Sequence, residues 1–493
     1  MRELLRNLAV LSPLAVTTLI ASVIQGKALA ELLGPEGSGR FFLAAAFFSL
    51  ATTLAAVGIH SAMTKLVSEF RGAQQFSLLW DSVHLGLLTV TATSALLIAV
   101  SAVFSEQLGE LFLGGLEPSA DRRFIVLVSA IAMVPASWGL VMLGFLRGLG
   151  RVRVYAVAGS LMAVLTVVTV VGGAAWGGFR GAFLGAVAAQ SLSVVVLGLA
   201  AVRNAPRRRS PRRIFTSTAA KLESRVLFFG LLAVVAALAG SLGHTASRSY
   251  LASTLDLRAV GFFAAAWSIT NRLPTLLYQT FSVHLVPTIS SLGKDWRRIS
   301  DEQNNALRLS LLAATPVLAV AIVATPLVIH ILLSSEFLPM SDLLRVMLFG
   351  ELLSLVYWAT GIALYPSGRP LASAICEWSW WLLFGLGLLV LTQSSGLLGA
   401  GYAYAGSYGV MATAIYMAER RRGHLRWTRS NVRLLALSVG TLFVVTTVSA
   451  AASGSTMILI LMLAAVLSAW PFLGLTAKER VRLHTALRRR AAR

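Results

Sequence analysis

The chain reads as long apolar runs cut by short polar breaks, from one end to the other. At about 18 to 25 residues, each run is long enough to cross a hydrocarbon layer about 30 Å thick as a helix. They fall at 8–24, 41–67, 80–104, 124–146, 154–175 and 179–202, then at 226–251, 260–289, 307–333, 343–365, 371–391 and 397–418, and finally at 434–451 and 457–475. The pattern predicts an all-α, polytopic membrane protein with about 14 transmembrane helices. Two longer polar stretches interrupt it, one holding Arg203, Arg207, Arg208, Arg209, Arg212 and Arg213, the other Arg420, Arg421, Arg422, Arg426 and Arg429. They divide the chain into a six-helix lobe over 1–202, a basic linker over 203–224, a second six-helix lobe over 225–419, a basic loop with helices 13 and 14 over 420–475, and a basic tail over 476–493. The start imitates a secretory signal, with Arg2 and Arg6 before the first run and Ala28-Leu29-Ala30 after it. Lys27 breaks the cleavage region and the run has a counterpart near 225–251, so it is read as the first span.

The second lobe echoes the first. Spans 1 and 2 meet at Leu33-Gly34-Pro35-Glu36-Gly37-Ser38-Gly39-Arg40, which opens into Phe41-Phe42-Leu43-Ala44-Ala45-Ala46. Gly261-Phe262-Phe263-Ala264-Ala265-Ala266 repeats that opening 222 residues later. Trp138 in span 4 matches Trp358 in span 10 at an offset of 220. Gly178-Phe179-Arg180-Gly181-Ala182 before span 6 matches Gly396-Leu397-Leu398-Gly399-Ala400 before span 12 at an offset of 218. Three ordered matches at a slowly drifting offset describe a duplication. Because spans 1 and 7 start on the same side, the two six-helix units are parallel repeats, related by an axis along the membrane normal. Pro13, Pro135, Pro274, Pro287, Pro316 and Pro326 fall inside spans, where proline bends a helix.

Composition agrees with the pattern and adds an orientation. Apolar residues make up 57% of the chain, charged ones 13%, and the mean hydropathy is +0.77; a soluble domain carries about 25% charged residues. The net charge of +22 would suggest nucleic acid in a soluble protein. Here the bases sort by side. With the N-terminus inside, external loops hold only Arg40, Arg122, Arg123, Arg180 and Arg258 of the 42 Lys and Arg, while acids divide evenly. That asymmetry is the positive-inside rule, and it predicts a multi-pass membrane protein with both termini cytoplasmic. Nucleic acid is not needed as a partner; contact with anionic lipid headgroups fits the basic stretches. The single Cys376 lies in an apolar run, so neither a disulfide framework nor a thiolate metal site is expected.

At this point the chain resembles a family. The Leu33-Gly34-Pro35-Glu36 end of span 1, an aromatic- and Ala-rich span 2 ending near Lys65-Leu66-Val67-Ser68-Glu69, the Gly148-Leu149-Gly150-Arg151 end of span 4 echoed by Gly368-Arg369, and the Gly-x-x-Gly-Ala openings of spans 6 and 12 are similar to the polysaccharide (Wzx-like) flippases. These belong to the multidrug/oligosaccharidyl-lipid/polysaccharide (MOP) exporter superfamily. The resemblance implies MATE-like lobes set in a V around a central cavity lined chiefly by spans 1, 2, 7 and 8, with a C-terminal helix pair outside the duplication. It also implies a substrate that is a lipid-linked sugar carrying a diphosphate.

Polar side chains at membrane depth are costly and so mark cavities or helix partners. Lys27 and Arg248 lie in nearly equivalent places toward the outer ends of spans 1 and 7, and Arg272 lies in span 8 beside Asn271 and two turns before Gln279. His60 and His284 occupy spans 2 and 8, and His244 precedes Arg248 by one turn. One reading makes these a substrate-binding cavity for a diphosphate headgroup, with arginine able to grip phosphate oxygens bidentately. The other has Lys27 and Arg248 snorkelling to the interface. Glu351 and Glu377 are ion-coupling candidates, with H+ or Na+ as the ion, or helix-pairing groups. Catalytic, metal and cofactor sites are not expected. Trp378, Trp380 and Trp381 read as interfacial packing rather than a sugar platform.

The leading expectation is a flippase that moves an undecaprenyl-diphosphate-linked oligosaccharide across the cytoplasmic membrane by alternating access, for cell-surface polysaccharide biosynthesis. Its partners would be that anionic lipid-linked oligosaccharide, membrane lipids and other polysaccharide-assembly proteins. The alternatives are a lipid II or multidrug exporter of the same fold, and a membrane polymerase or glycosyltransferase of the same pathway. A scarcity of acids in spans 1 and 2 speaks against cationic drugs, and the lack of a substantial external loop speaks against an enzyme.

Overall fold

The computed structural model describes residues 2–204, 217–451 and 460; most of the basic linker, the span expected at 457–475 and the tail over 476–493 lie outside the described residues. Regular structure among the described residues is helical throughout. The first half carries α1 (Arg2–Ala56), α2 (Ile59–Gly72), α3 (Phe76–Val103), α4 (Ser105–Leu113), α5 (Ser119–Gly148) and α6 (Val152–Asn204). The second carries α7 (Ser217–Thr254), α8 (Leu257–Thr270), α9 (Arg272–Leu292), α10 (Trp296–Val323), α11 (Thr325–Leu332), α12 (Ser341–Gly361), α13 (Pro370–Ser395) and α14 (Leu398–Arg421), and α15 (Arg429–Ala451) is the thirteenth span.

Among the described residues, eight helices are long and apolar enough to cross a bilayer. Two of them, Val16–Ala56 and Arg153–Asn204, run to 41 and 52 residues. A single crossing takes about 20, so each holds two spans. The first is broken at Gly34 (φ 63°, ψ −173°) and the second at Gly177 and Gly178. The chain is an all-α, multi-pass membrane protein.

The duplication is written in the backbone. Gly178 adopts φ 58° and ψ −141°; Gly396, 218 residues later, adopts φ 54° and ψ −138°. A positive φ is open to glycine and strained for other residues, which is why both hairpins begin with it. The next glycine of each motif serves a second need. A Cβ on Gly181 would collide with the Gly173 carbonyl, and one on Gly399 with the Leu391 carbonyl, again 218 residues apart. A short helix follows span 3 (α4, from Ser105) and span 9 (α11, from Thr325) at the 220-residue offset. The hydropathy pattern hid that second short helix by running span 9 on to 333, whereas α10 ends at Val323. Pro326 accordingly stands at the second position of α11, where proline is tolerated, while Pro135, Pro287 and Pro316 lie inside helices.

Two compact units emerge, Met1–Ala265 with Ile331–Phe337, and Ala266–His330 with Leu338–Arg493. In the first, α2, α3, α5 and α6 close over Met63, Leu66, Val67, Leu79, Val141, Phe145 and Leu146, all buried. The turn between spans 1 and 2 meets its own echo here. A Cβ on Gly39 would strike the Leu257 carbonyl, and one on Gly261 the Pro35 carbonyl. Gly39 and Gly261 are 222 residues apart, as are Pro35 and Leu257, so the contact is reciprocal, as a local two-fold axis requires. The second unit packs one cluster on Leu285, Ile289, Ile299, Ala306 and Ala363. It packs another on aromatic rings, in which Trp267 stacks on Trp381 at 5.9 Å and Trp380 on Phe384 at 5.5 Å. Trp380 and Trp381 are therefore core residues, 3% and 8% exposed, which replaces the interfacial placement expected for them; Trp378 is exposed.

Candidate functional site

Span 2 does not run through as one helix. Val57 and Gly58 both take positive φ, 44° and 63°, ending α1 and restarting the chain as α2. For a β-branched residue that is strain. The restart places His60 on the first turn of α2, where its Nε2 lies 3.0 Å from Nη1 of Arg147 in the last turn of α5. Nη2 of Arg147 donates to the Tyr155 hydroxyl at 2.5 Å. Span 8 is interrupted as well, at Asn271 between α8 and α9.

The first unit holds the other cations of interest. Arg248 on α7 is half-buried, with Nη1 3.5 Å from the Phe42 carbonyl oxygen and Nε buried without a hydrogen bond. Among the described residues no carboxylate lies within ion-pair distance of it. His244, one turn earlier, is half-buried, and Thr245 between them donates to the Ala46 carbonyl at 3.1 Å. Ser241 and Thr53 share a hydrogen bond of 2.8 Å, so a stripe of small polar residues fastens α7 to α1. Lys27 is occupied. Its ammonium reaches the Ile331 and Leu333 carbonyls at 3.2 and 3.3 Å, capping the end of α11, and Glu31 at 3.3 Å.

In the second unit, Nε of Arg272 donates to the Ser268 carbonyl at 3.1 Å and the Asn271 amide to the Trp267 carbonyl at 3.2 Å. Both side chains are half-buried. Gln279 and His284 lie on α9 but outside the residues whose side chains are described. Glu351 on α12 is 1% exposed. The Tyr404 hydroxyl donates to its Oε2 at 2.5 Å, while Oε1 is buried with no hydrogen bond among the described residues. Around it stand the hydroxyls of Tyr278 and Ser354, 2.7 Å apart, and the rings of Trp267 and Tyr408 against Tyr404. Glu377 on α13 is half-buried and accepts from the Trp381 indole at 3.2 Å. The first unit thus holds Lys27, His60, His244 and Arg248, and the second holds Arg272, Glu377 and the buried acid Glu351.

Arg147, Tyr155 and Tyr404 were not singled out in the sequence. Arg147 precedes a Gly-Leu-Gly turn that was read for its shape alone, and nothing in the spacing of span 12 sets Tyr404 apart from its aromatic neighbours.

The family model for polysaccharide biosynthesis protein matches residues 4–293, more than half of the chain. The chain belongs to the polysaccharide biosynthesis protein family. A curated member of wider kin is the lipid III flippase of Escherichia coli K12, 26% identical over 421 residues that span 83% of this chain and 97% of that one. Among solved structures, the fold is similar to a multidrug resistance MATE family transporter of the MOP superfamily in an inward-facing conformation (TM-score 0.69, 18% identity, 83% of this chain and 94% of that one). It is equally similar to the lipid II flippase MurJ in an inward closed conformation (TM-score 0.69, 12% identity, 95% and 98%). The chain is thus a multi-pass helical membrane protein of that family, with a fold similar to transporters of the MOP superfamily.

Proposed function

We propose that this protein carries a lipid-linked oligosaccharide with an anionic diphosphate from the cytoplasmic to the external leaflet, for assembly of a cell-surface polysaccharide. The observation that supports it most is Arg248, a guanidinium inside an apolar span with no carboxylate to neutralise it among the described residues. Holding such a charge in a membrane costs several kcal/mol. A transient anion that repays this cost on binding is a sufficient reason to keep it. The likeness to a lipid III flippase over almost its whole length points to the same class of cargo. Cationic drugs fit poorly beside such a group. On this reading the basic ends of the spans face the cytoplasm.

Glu351 supplies a second element. A buried carboxyl with one oxygen bonded by Tyr404 and the other without a hydrogen bond among the described residues is suited to change its proton or ion occupancy. It is read as the carrier of the coupling H+ or Na+.

Two substitutions test the reading. Arg248→Ala should reduce surface polysaccharide at least tenfold while the protein still inserts and folds; normal export by the folded variant would overturn the cationic role. Glu351→Gln keeps the shape and removes the exchangeable proton, so flipping in proteoliposomes should lose its response to an imposed pH or Na+ gradient. An unchanged response excludes Glu351 as the ion carrier without touching the cargo.

A further inference from the structure

The turn between α5 and α6 orients a guanidinium without neutralising it. Arg147 gives Nη1 to His60 at 3.0 Å and Nη2 to the Tyr155 hydroxyl at 2.5 Å, and its guanidinium carbon lies 4.8 Å from the centre of the Tyr155 ring. An arginine has five N–H donors, and these contacts use two. The side chain is exposed, its partners are neutral, and among the described residues no carboxylate is within ion-pair distance. Since Arg147 can only donate, His60 accepts through Nε2 and so serves as a neutral prop.

The other repeat shows how this fold treats the same turn when the charge is cancelled. Gly150 and Gly368, 218 residues apart, both take positive φ, 64° and 81°, and each is followed by an arginine. Arg369 gives Nη1 and Nη2 to the two oxygens of Glu419, both at 2.8 Å. The residue 218 positions before Glu419 is Ala201, buried at 1% exposure. The first repeat keeps the turn and its arginine, Arg151, but has no acid in the matching place. Arg151 is exposed and makes no ion pair among the described residues. Two arginines on one turn without a counter-ion, one of them braced by neutral acceptors, suit the planar, bidentate recognition of phosphate oxygens.

We propose that Arg147 and Arg151, with His60 and Tyr155 bracing the first, form a docking site for the diphosphate headgroup of an isoprenoid lipid at the basic end of the first unit. The site is separate from Arg248, and it rests on the transport reading given above.

The test titrates the purified full-length protein with farnesyl diphosphate, farnesol and inorganic pyrophosphate, with binding read by calorimetry. Farnesyl diphosphate should bind more tightly than the other two. The Arg147→Ala/Arg151→Ala double variant should weaken it by about tenfold to a hundredfold, the range for losing charge-assisted hydrogen bonds. Arg147→Lys keeps the charge and loses the fork, and should fall between wild type and the double variant. An unchanged affinity in the folded double variant overturns the site, as does a wild type that binds no diphosphate. Pyrophosphate binding as tightly as farnesyl diphosphate overturns the lipid assignment in favour of free phosphate. The Arg248→Ala export measurement judges the cationic role of Arg248 independently. Normal binding by the double variant with failed export by Arg248→Ala removes the docking site alone, and weakened binding by the double variant with normal export by Arg248→Ala removes the role of Arg248 alone.

Discussion

The turns at Gly178 and Gly396 differ by only a few degrees in both dihedrals, yet the helices they open carry different polar chemistry. Arg180, two residues after the first turn, pairs with the buried Asp121 through Nε at 2.7 Å. In the second repeat the matching residue is Leu398, and Asp342 at the start of α12 pairs instead with its own Arg345, at 2.7 Å. At the other end Arg151 stands without an acid while Arg369 is locked to Glu419. Inside the spans, Arg248 is a cation with no acid and Glu351 an acid with no cation among the described residues. Trp138 donates to Thr91, whereas Trp358 stacks on Tyr278 at 4.9 Å. Backbone turns survive duplication because a steric collision has few remedies. Polar pairs drift because each is a local trade of desolvation against attraction.

The sharpest way to break this comparison is to remove the acid that only the second repeat has. Glu419 is 4% exposed, and removing one partner of a buried pair costs about 3–5 kcal/mol. Because the Arg369 side chain keeps 22% exposure, the lower end, about 3 kcal/mol, is expected for Glu419→Ala in thermal unfolding of the detergent-solubilised protein. Arg151→Ala, at the matching turn, should change stability by less than about 0.5 kcal/mol, as surface substitutions do. Equal losses from both would mean that Arg151 has a structural partner after all, and would remove the asymmetry.

A smaller effect probes what the repeats share. Gly39→Ala and Gly261→Ala each set a methyl against a carbonyl of the opposing segment, and overpacking of this kind costs about 1–3 kcal/mol. Since the contact is reciprocal, the two losses should be alike. Gly177→Ala, with open space around it and a negative φ, serves as the reference and should be near neutral. A Gly39→Ala protein as stable as Gly177→Ala would show that the two-fold contact carries no weight.

How much of this was legible depended on the kind of interaction. Spans, hairpin turns and the duplication could be read because hydropathy runs and glycines are local signals. The halving of span 2 could not be read, since valine is an ordinary strand or helix former and nothing in the sequence marks the positive φ that Val57 adopts. The candidate cations were found by their cost in a membrane, a rule that flags a residue but not its partners. It therefore flagged Lys27, now seen to cap α11, and Arg248 alike. Tyr404 and Arg147 matter through contacts 53 and 87 residues away in the chain, a distance that no spacing rule spans. Ala201 shows its meaning only beside Glu419, once the offset of 218 is fixed by structure.

The smallest expected effect is a pH dependence that belongs to the second repeat alone. Glu419 lies beyond the twelfth span. Burial raises its pKa, but hydrogen bonds from Arg369, the Arg369 charge and His424 outweigh that and hold it below the ordinary carboxylate value. A carboxyl depressed on folding contributes stability that is fully present above its unfolded pKa, about 4.3, and is lost as pH falls through the folded value. Each unit of depression corresponds to about 1.4 kcal/mol. Unfolding temperature should therefore hold from neutral pH down to about pH 5 as far as this group is concerned, and decline below the ordinary carboxylate range. Other carboxylates decline there too, so the quantity to measure is the difference between wild type and Glu419→Gln. That difference should be constant at higher pH and shrink as acid protonates Glu419 in the wild type. If it stays constant down to the lowest pH at which both proteins fold, the Arg369–Glu419 pair is not what distinguishes the second turn, and the missing acid at Ala201 loses its meaning for the first.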